Sequence, residues 1–351
     1  MFPLKYGLGY NLGFLMQGGA HVDLYTSDGS VLVQVGGVEM GQGIFTKVAQ
    51  MAAYELNVPL SLIRMGSTQT SVVPDPMSTG ATSGSDLCGG AAKQACRELR
   101  DNLEALCLRL KDEKSEEWCK EQGINFWDYE EGWQAEVTTS SGKKTLMWIN
   151  VLGQAYQNRT PLAAQSLFAT PGLVDSEDQQ FYGFTFSAAC SEVEIDVLTG
   201  ETTVLRSDIC YDIGQSMNPA IDIGQVEGAF VMGIGYVLTE ELLFEPEGEN
   251  KGRNNTPNTW TYKPPATTTI PVELRTDLFP RDTEGVKQNP DLLMGSKGVG
   301  EPPLVLAATV FFAVKHAIMD ARKQLDEPLT DWFEMESPAT VQRVKEACAG
   351  N

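Results

Sequence analysis

Apolar and polar residues alternate through AHVDLYTSDGSVLVQVGGV (20–38), and this period of two around Ser27-Asp28-Gly29 predicts a β-hairpin. EMGQG follows, and then the period changes. In IFTKVAQMAAYEL apolar residues recur every three or four positions, which predicts an amphipathic helix from about Gly43 to Leu56, with Pro59 beyond its end. SLIRM (61–65) reads as a strand leading into the polar loop STQTSVVPDPMSTGATSGSD. From Leu87 to Lys111 the pattern is again helical and long. KDEKSEEWCKEQG (111–123) reads as a solvated helical or loop insertion, and 161–180 as a long connection. A second hairpin follows, with EVEIDV and TTVLRSDI flanking Leu198 to Glu201. QSMNPAIDIGQ reads as the loop that opens a helix from Val226. A polar arm covers roughly 246–292, and SKGVGEPP opens an apolar helix over 304–325.

The order hairpin, glycine-containing loop, helix thus occurs twice. It predicts an α+β fold of two lobes, 1–160 and 161–351, each a sheet covered by helices, with a ligand cleft between them. The 351 residues are enough for two cores.

Charge removes one class of partner. With 26 basic and 47 acidic residues the net charge is −21, which repels phosphate backbones, so nucleic acid is not expected. No uninterrupted apolar run reaches the roughly 18 residues of a membrane span, so no membrane is expected. Seven cysteines without a C-x-x-C pair, and only two histidines, give no basis for a protein-held metal or iron–sulfur cluster. A reducing, cytoplasmic location is the default expectation.

Four segments share one property. Met40-Gly41-Gln42-Gly43, Thr79 to Gly84, Ile223-Gly224-Gln225 and Gly298-Val299-Gly300-Glu301 all lie at or near expected helix starts. Glycine lets backbone N–H groups come close to a ligand, and helix starts carry unpaired N–H groups and partial positive charge. Taken alone, each segment is most simply a cap or turn. Together they suit a large ligand with anionic groups. Neither a P-loop nor a G-x-G-x-x-G fingerprint in a strand-to-helix context is present.

GGVEMGQG (36–43), SEVEIDVLTG (191–200), NPAIDIGQVEGAF (218–230) and KGVGEPP (297–303) resemble, in order, the C-terminal half of the molybdopterin-binding region of the molybdenum hydroxylases, the xanthine dehydrogenase and aldehyde oxidase family. The resemblance runs from about Tyr10 to Lys323 and is weaker in 112–180 and 246–292. It implies an oxidoreductase that hydroxylates an N-heterocycle or aldehyde with water-derived oxygen, as in purine catabolism. Its molybdenum would be held by molybdopterin rather than by side chains.

The same resemblance makes Glu301 the general base. It makes Gly41, Gln42, Ala81, Thr82, Gln225 and Gly300 cofactor-binding residues, with the Ala81 backbone next to the metal. Tyr10 and Asn11 fall where xanthine-type members carry Phe-Thr against a purine, so they are candidate substrate residues. The family's iron–sulfur and FAD portions, and the first half of its molybdenum region, would belong to missing portions or partner chains. Family members are homodimers. The isolated chain is expected to be inactive, and a non-catalytic cofactor-binding or interaction fragment is the alternative.

Overall fold

The computed structural model describes residues 1–170, 181–280, 292–324 and 332–350. In chain order its elements are β1 (Phe2–Leu8), β2 (Gln17–Leu24), β3 (Val31–Val35), α1 (Ile44–Leu56), β4 (Ile63–Met65), α2 (Gly84–Glu113), α3 (Glu116–Gln122), β5 (Glu136–Thr138), β6 (Lys144–Leu146), α4 (Met147–Gln157), β7 (Ala163–Ala169), β8 (Gly183–Ile195), β9 (Thr202–Tyr211), α5 (Pro219–Leu238), β10 (Glu273–Leu278), α6 (Pro302–Leu306), α7 (Ala308–Arg322) and α8 (Val341–Cys348). Two compact lobes result. Among described residues the first holds 9–170, 181–182 and 292–293, and the second holds 1–8, 183–280, 294–324 and 332–350.

The first lobe is built on a four-stranded sheet of order β4-β3-β2-β7. β2 and β3 form the expected hairpin, paired from Ala20–Val35 to Leu24–Val31. β3 pairs in parallel with β4, so α1 is a crossover helix between parallel neighbours. α1 and α2 cover this sheet, and their apolar faces join Val22, Val31 and Val33 in one core. α4 adds Trp148, fully buried, whose indole N–H donates to the Gly29 carbonyl at 2.8 Å and secures the hairpin turn.

The second lobe repeats this plan. Its sheet has order β1-β8-β9-β10. β8 and β9 are the antiparallel hairpin, β9 pairs in parallel with β10, and α5 makes the crossover. α5, α7 and α8 supply its core, with Phe230, Val310, Val314 and Ile318 fully buried.

The lobes depart from a division after residue 160 in two places. β1 pairs with β8 from Phe2–Ala189 to Leu8–Gly183, so the start of the chain belongs to the second lobe. The expected connection from 161 contains β7, which pairs with β2 from Gln17–Ala169 to Asp23–Ala163 and so belongs to the first. The rest of that connection, 171–180, lies outside the described residues. The polar arm is likewise not all irregular: β10 lies in it, while 281–291 and the helix end at Leu325 lie outside the described residues.

Two further expectations change. The charged stretch at 111–123 is not merely solvated, because α3 buries Cys119 and Lys111 stacks its ammonium over Trp127 at 4.4 Å. By mean hydropathy, α5 and the run from Pro302 to Arg322 are long and apolar enough to cross a membrane, which a search for uninterrupted runs does not detect. Their apolar faces supply Phe230, Ile234, Leu306 and Val310 to the second core, as core helices do.

Candidate functional site

In each lobe two loops leave the carboxyl ends of adjacent parallel strands, the usual place for ligands in α/β crossovers. In the first lobe these are 36–43, after β3, and 66–83, after β4. The Val38 N–H donates to Thr79 Oγ1 at 2.9 Å, and Thr68 Oγ1 donates to the Gly37 carbonyl at 2.9 Å. The loops are thereby fastened to each other. Beside them is a shallow open hollow lined by Gly18, Gly36, Gly37, Thr79, Gly80 and Cys88. A Cβ on Gly37 would stand 2.7 Å from the Cys88 sulfur, so this wall must be bare backbone.

The loop before α1 uses its own donors. Glu39 lies inside it. One carboxylate oxygen accepts from the N–H groups of Gly41 at 2.8 Å and Gly43 at 3.1 Å, and the other accepts from Phe45 N–H at 3.1 Å. Partial burial raises the Glu39 pKa, but these backbone donors outweigh it and hold the carboxyl below its usual range. Gln42 folds back as well: its amide donates to the Val38 carbonyl at 2.7 Å and its oxygen accepts from Met40 N–H at 2.6 Å. The expectation that this helix start offers its N–H groups to an outside anion is therefore corrected. An internal carboxylate has taken that role. An acid just before a glycine-rich helix start was the available signal for it.

Ala81 and Thr82 both adopt left-handed backbone, with φ of 53° and 56°. For a β-branched threonine this is strained, by about 1–3 kcal/mol. The Ala81 carbonyl accepts from Gly9 N–H at 3.2 Å. Tyr10 is a strut for this loop: its hydroxyl donates to the Ser78 carbonyl at 2.6 Å, and Asn11 is exposed beside it. At the start of α2, Asp86 is fully enclosed and accepts from the Tyr182 hydroxyl at 2.5 Å. Burial pushes its carboxyl up to about 6, against the opposing effects of Tyr182 and Lys47.

In the second lobe the paired loops follow β9 and β10. Lys297 N–H donates to the Ile213 carbonyl at 2.8 Å, and Gln215 N–H donates to the Gly295 carbonyl at 2.7 Å. A Cβ on Gly214 would meet the Gly295 carbonyl at 2.4 Å, so that crossing requires glycine. The Lys297 ammonium pairs with Asp212, and the Tyr211 hydroxyl donates to the Gly298 carbonyl at 2.7 Å. These contacts pin the chain from Gly295 to Gly298. Three residues later Glu301 is exposed at the N-cap of α6, whose first turn is Pro302-Pro303. The Tyr6 hydroxyl, on β1, donates to Glu301 Oε2 at 2.8 Å.

Gln225 is placed differently from expectation. α5 begins at Pro219 with Asn218 as its cap, so Gln225 lies in the second turn rather than at the opening. Asn-Pro is a helix start in its own right, which removes the helix-start reading of Ile223-Gly224-Gln225. Gln225 can therefore act on a ligand only through its side chain.

Some of these residues form a cradle. Nothing stands within 4 Å of a Cβ built on Gly224, Gly228 or Gly300. Two of these glycines are in a helix interior, where each costs about 0.5–1 kcal/mol relative to alanine. No contact among the described residues explains that cost. Gly224 and Gly228 leave an exposed bare strip on α5 beside Gln225. Among the described residues no three His, Cys, Asp or Glu side chains come together to hold a metal ion.

Two α+β lobes with loop pairs at the carboxyl ends of parallel strands define a class of large-cofactor binders. A molybdopterin cofactor-binding domain model matches residues 1–271, and the chain belongs to that family, that of the molybdenum hydroxylases. It is 40% identical over 352 residues to the xanthine dehydrogenase/oxidase of Rattus norvegicus, covering 99% of this chain and 23% of the relative. It is 38% identical over 358 residues to the xanthine dehydrogenase of Dictyostelium discoideum, covering 100% and 23%. The chain thus spans about a quarter of the length of these relatives. Its fold is similar to reconstituted CO dehydrogenase from Oligotropha carboxidovorans (TM-score 0.71, 20% identity, 99% of this chain and 40% of that one). It is also similar to quinoline 2-oxidoreductase from Pseudomonas putida 86 (TM-score 0.68, 21% identity, 99% and 41%).

Proposed function

We propose that this chain is the molybdopterin-binding portion of an oxidoreductase that hydroxylates an N-heterocycle or aldehyde, with Glu301 as its general base. The observation that carries the reading is the seat of Glu301. Its carboxylate is exposed on a loop pinned by Lys297 and Tyr211 and stiffened by two prolines, and Gly300 leaves open space beside it. Such a group accepts a proton without having to be repositioned first.

When bound, molybdopterin supplies a molybdenum centre that takes up the electron pair released as C–H and water become C–OH and two protons. Gln225, Gly300 and the backbone at Ala81 and Thr82 hold that cofactor, with Gly41 and Gln42 shaping the loop before α1. Tyr10 and Asn11 border the substrate. Electrons leave through iron–sulfur and flavin portions of the kind the resemblance implies, on other chains or segments. In the cytoplasm, and without those portions, the chain turns over nothing.

The test pairs two substitutions in the assembled holoenzyme. Glu301→Gln keeps shape and hydrogen bonding but accepts no proton, so turnover falls by at least about 10²–10⁴-fold with molybdenum and pterin content unchanged. Gln42→Ala lowers cofactor content instead. Normal turnover per molybdenum in Glu301→Gln sinks the base assignment. Failure of the unaltered holoenzyme to take up pterin sinks the cofactor reading.

A further inference from the structure

Tyr6 is far from Glu301 in sequence and belongs to none of the motifs above. On β1 the inward positions are Phe2, Leu4, Tyr6 and Leu8, while Pro3 and Lys5 face outward. Phe2 and Leu4 pack against the second core. Tyr6 shares their face but is half-buried. What the hydroxyl adds is its 2.8 Å hydrogen bond to Glu301 Oε2, across 295 residues of sequence.

We propose that Tyr6 is a positioning residue for the Glu301 carboxylate: its phenol O–H holds Oε2 and so fixes the carboxylate plane at the start of α6. The inference rests on the reading of Glu301 as the base. Three features support it. β1 is anchored along its length by β8, with Tyr6 opposite Thr185, so the phenol is presented from a rigid strand. α6 packs directly on β1, so donor and acceptor belong to neighbouring elements of one lobe. The phenol also stays protonated. Burial, then the hydrogen bond to Glu301 and its charge, push Tyr6 up to about 12, so it donates at any pH at which the protein works. Among the described residues, Tyr211 on β9 senses Tyr6 electrostatically, and the neighbouring Lys5 places its ammonium 4.2 Å from the centre of the Phe184 ring.

The physical consequence is orientation. A carboxylate on a freely rotating side chain samples many planes, and a hydrogen bond to one oxygen narrows that range. Losing that bond costs little folding energy but loosens the proton acceptor.

The first test needs no cofactor. 3-Fluorotyrosine, whose phenol is more acidic than tyrosine's, is placed at position 6 of this chain and titrated by ¹⁹F NMR, with and without Glu301→Gln. The expected result is a midpoint lower by roughly one pH unit in Glu301→Gln, because the neighbouring negative charge is gone. Equal midpoints overturn the inference.

The second test uses the holoenzyme. Tyr6→Phe is expected to lower kcat roughly 3- to 10-fold, leaving KM and molybdenum content unchanged. A Tyr6→Phe enzyme with normal kcat, beside an inactive Glu301→Gln enzyme, overturns the positioning role and leaves the base assignment standing. A Glu301→Gln enzyme that keeps its turnover overturns both.

Discussion

Glu39 shows how much of a site can depend on a residue that touches no ligand. Its two oxygens accept three backbone N–H groups of the loop and first turn of α1. Glu39→Ala leaves all three without that acceptor, and urea unfolding should show a loss of about 1–2 kcal/mol. Glu39→Gln keeps one acceptor oxygen and should lose less. The sign with pH follows from the depressed carboxyl. The stabilisation is present above the ordinary glutamate pKa and is lost as pH falls through the lower folded value. An alanine variant that is pH-independent and as stable as the parent would show that the loop does not need its carboxylate.

At the scale of elements, the start of α2 makes a prediction of opposite sign. Asp86 is fully enclosed and its carboxyl is raised from 3.8 to about 6. Between those values the folded protein keeps a proton that the unfolded chain releases, so stability falls as pH rises through that window. Asp86→Asn keeps an acceptor for the Tyr182 hydroxyl but has no charge to bury. Its stability relative to the parent should improve by about 2–3 kcal/mol between pH 4 and pH 7, read from denaturation midpoints.

Elements were also the best-read part of the chain from sequence. Both hairpins, α1 and the long α2 show in their periods, because each buries one regular face. Besides the three-residue strands β5 and β6, those that escaped notice lack a local partner or lie in a polar stretch. β1 is completed by β8, β7 by β2, and β10 lies in a polar arm. Local pattern does not encode a partner more than a hundred residues away. The site divides in the same way. Glu301 and Gln42 sit in recognisable motifs, whereas Tyr6 acquires its role only through a contact across 295 residues. Gln225 was misplaced because Asn218-Pro219, not the glycine, starts the helix.

At the scale of the molecule, the two lobes repeat one topology: an antiparallel hairpin, a crossover helix, a parallel edge strand, and a third antiparallel partner beside the hairpin. In the second lobe that third partner is β1. Deleting residues 1–8 should expose the edge of β8 along its register from Gly183 to Ala189. Sedimentation velocity of the shortened chain is expected to show association beyond that of the parent. A monodisperse shortened monomer would mean that the edge is covered by something else.

Because β1 comes before the whole first lobe and pairs after it, the chain is threaded out of chronological order. A ribosome adds about 5–20 residues per second, so β1 waits roughly 10–40 seconds before β8 is made. The first lobe has most of its residues by then and can condense in the interval. The nascent strand that holds Tyr6 meanwhile stays unpaired. The carboxylate-holding phenol is thus made before most of the first lobe and finds its place only after it. A chaperone that shields this segment would act in that interval, before the second hairpin emerges.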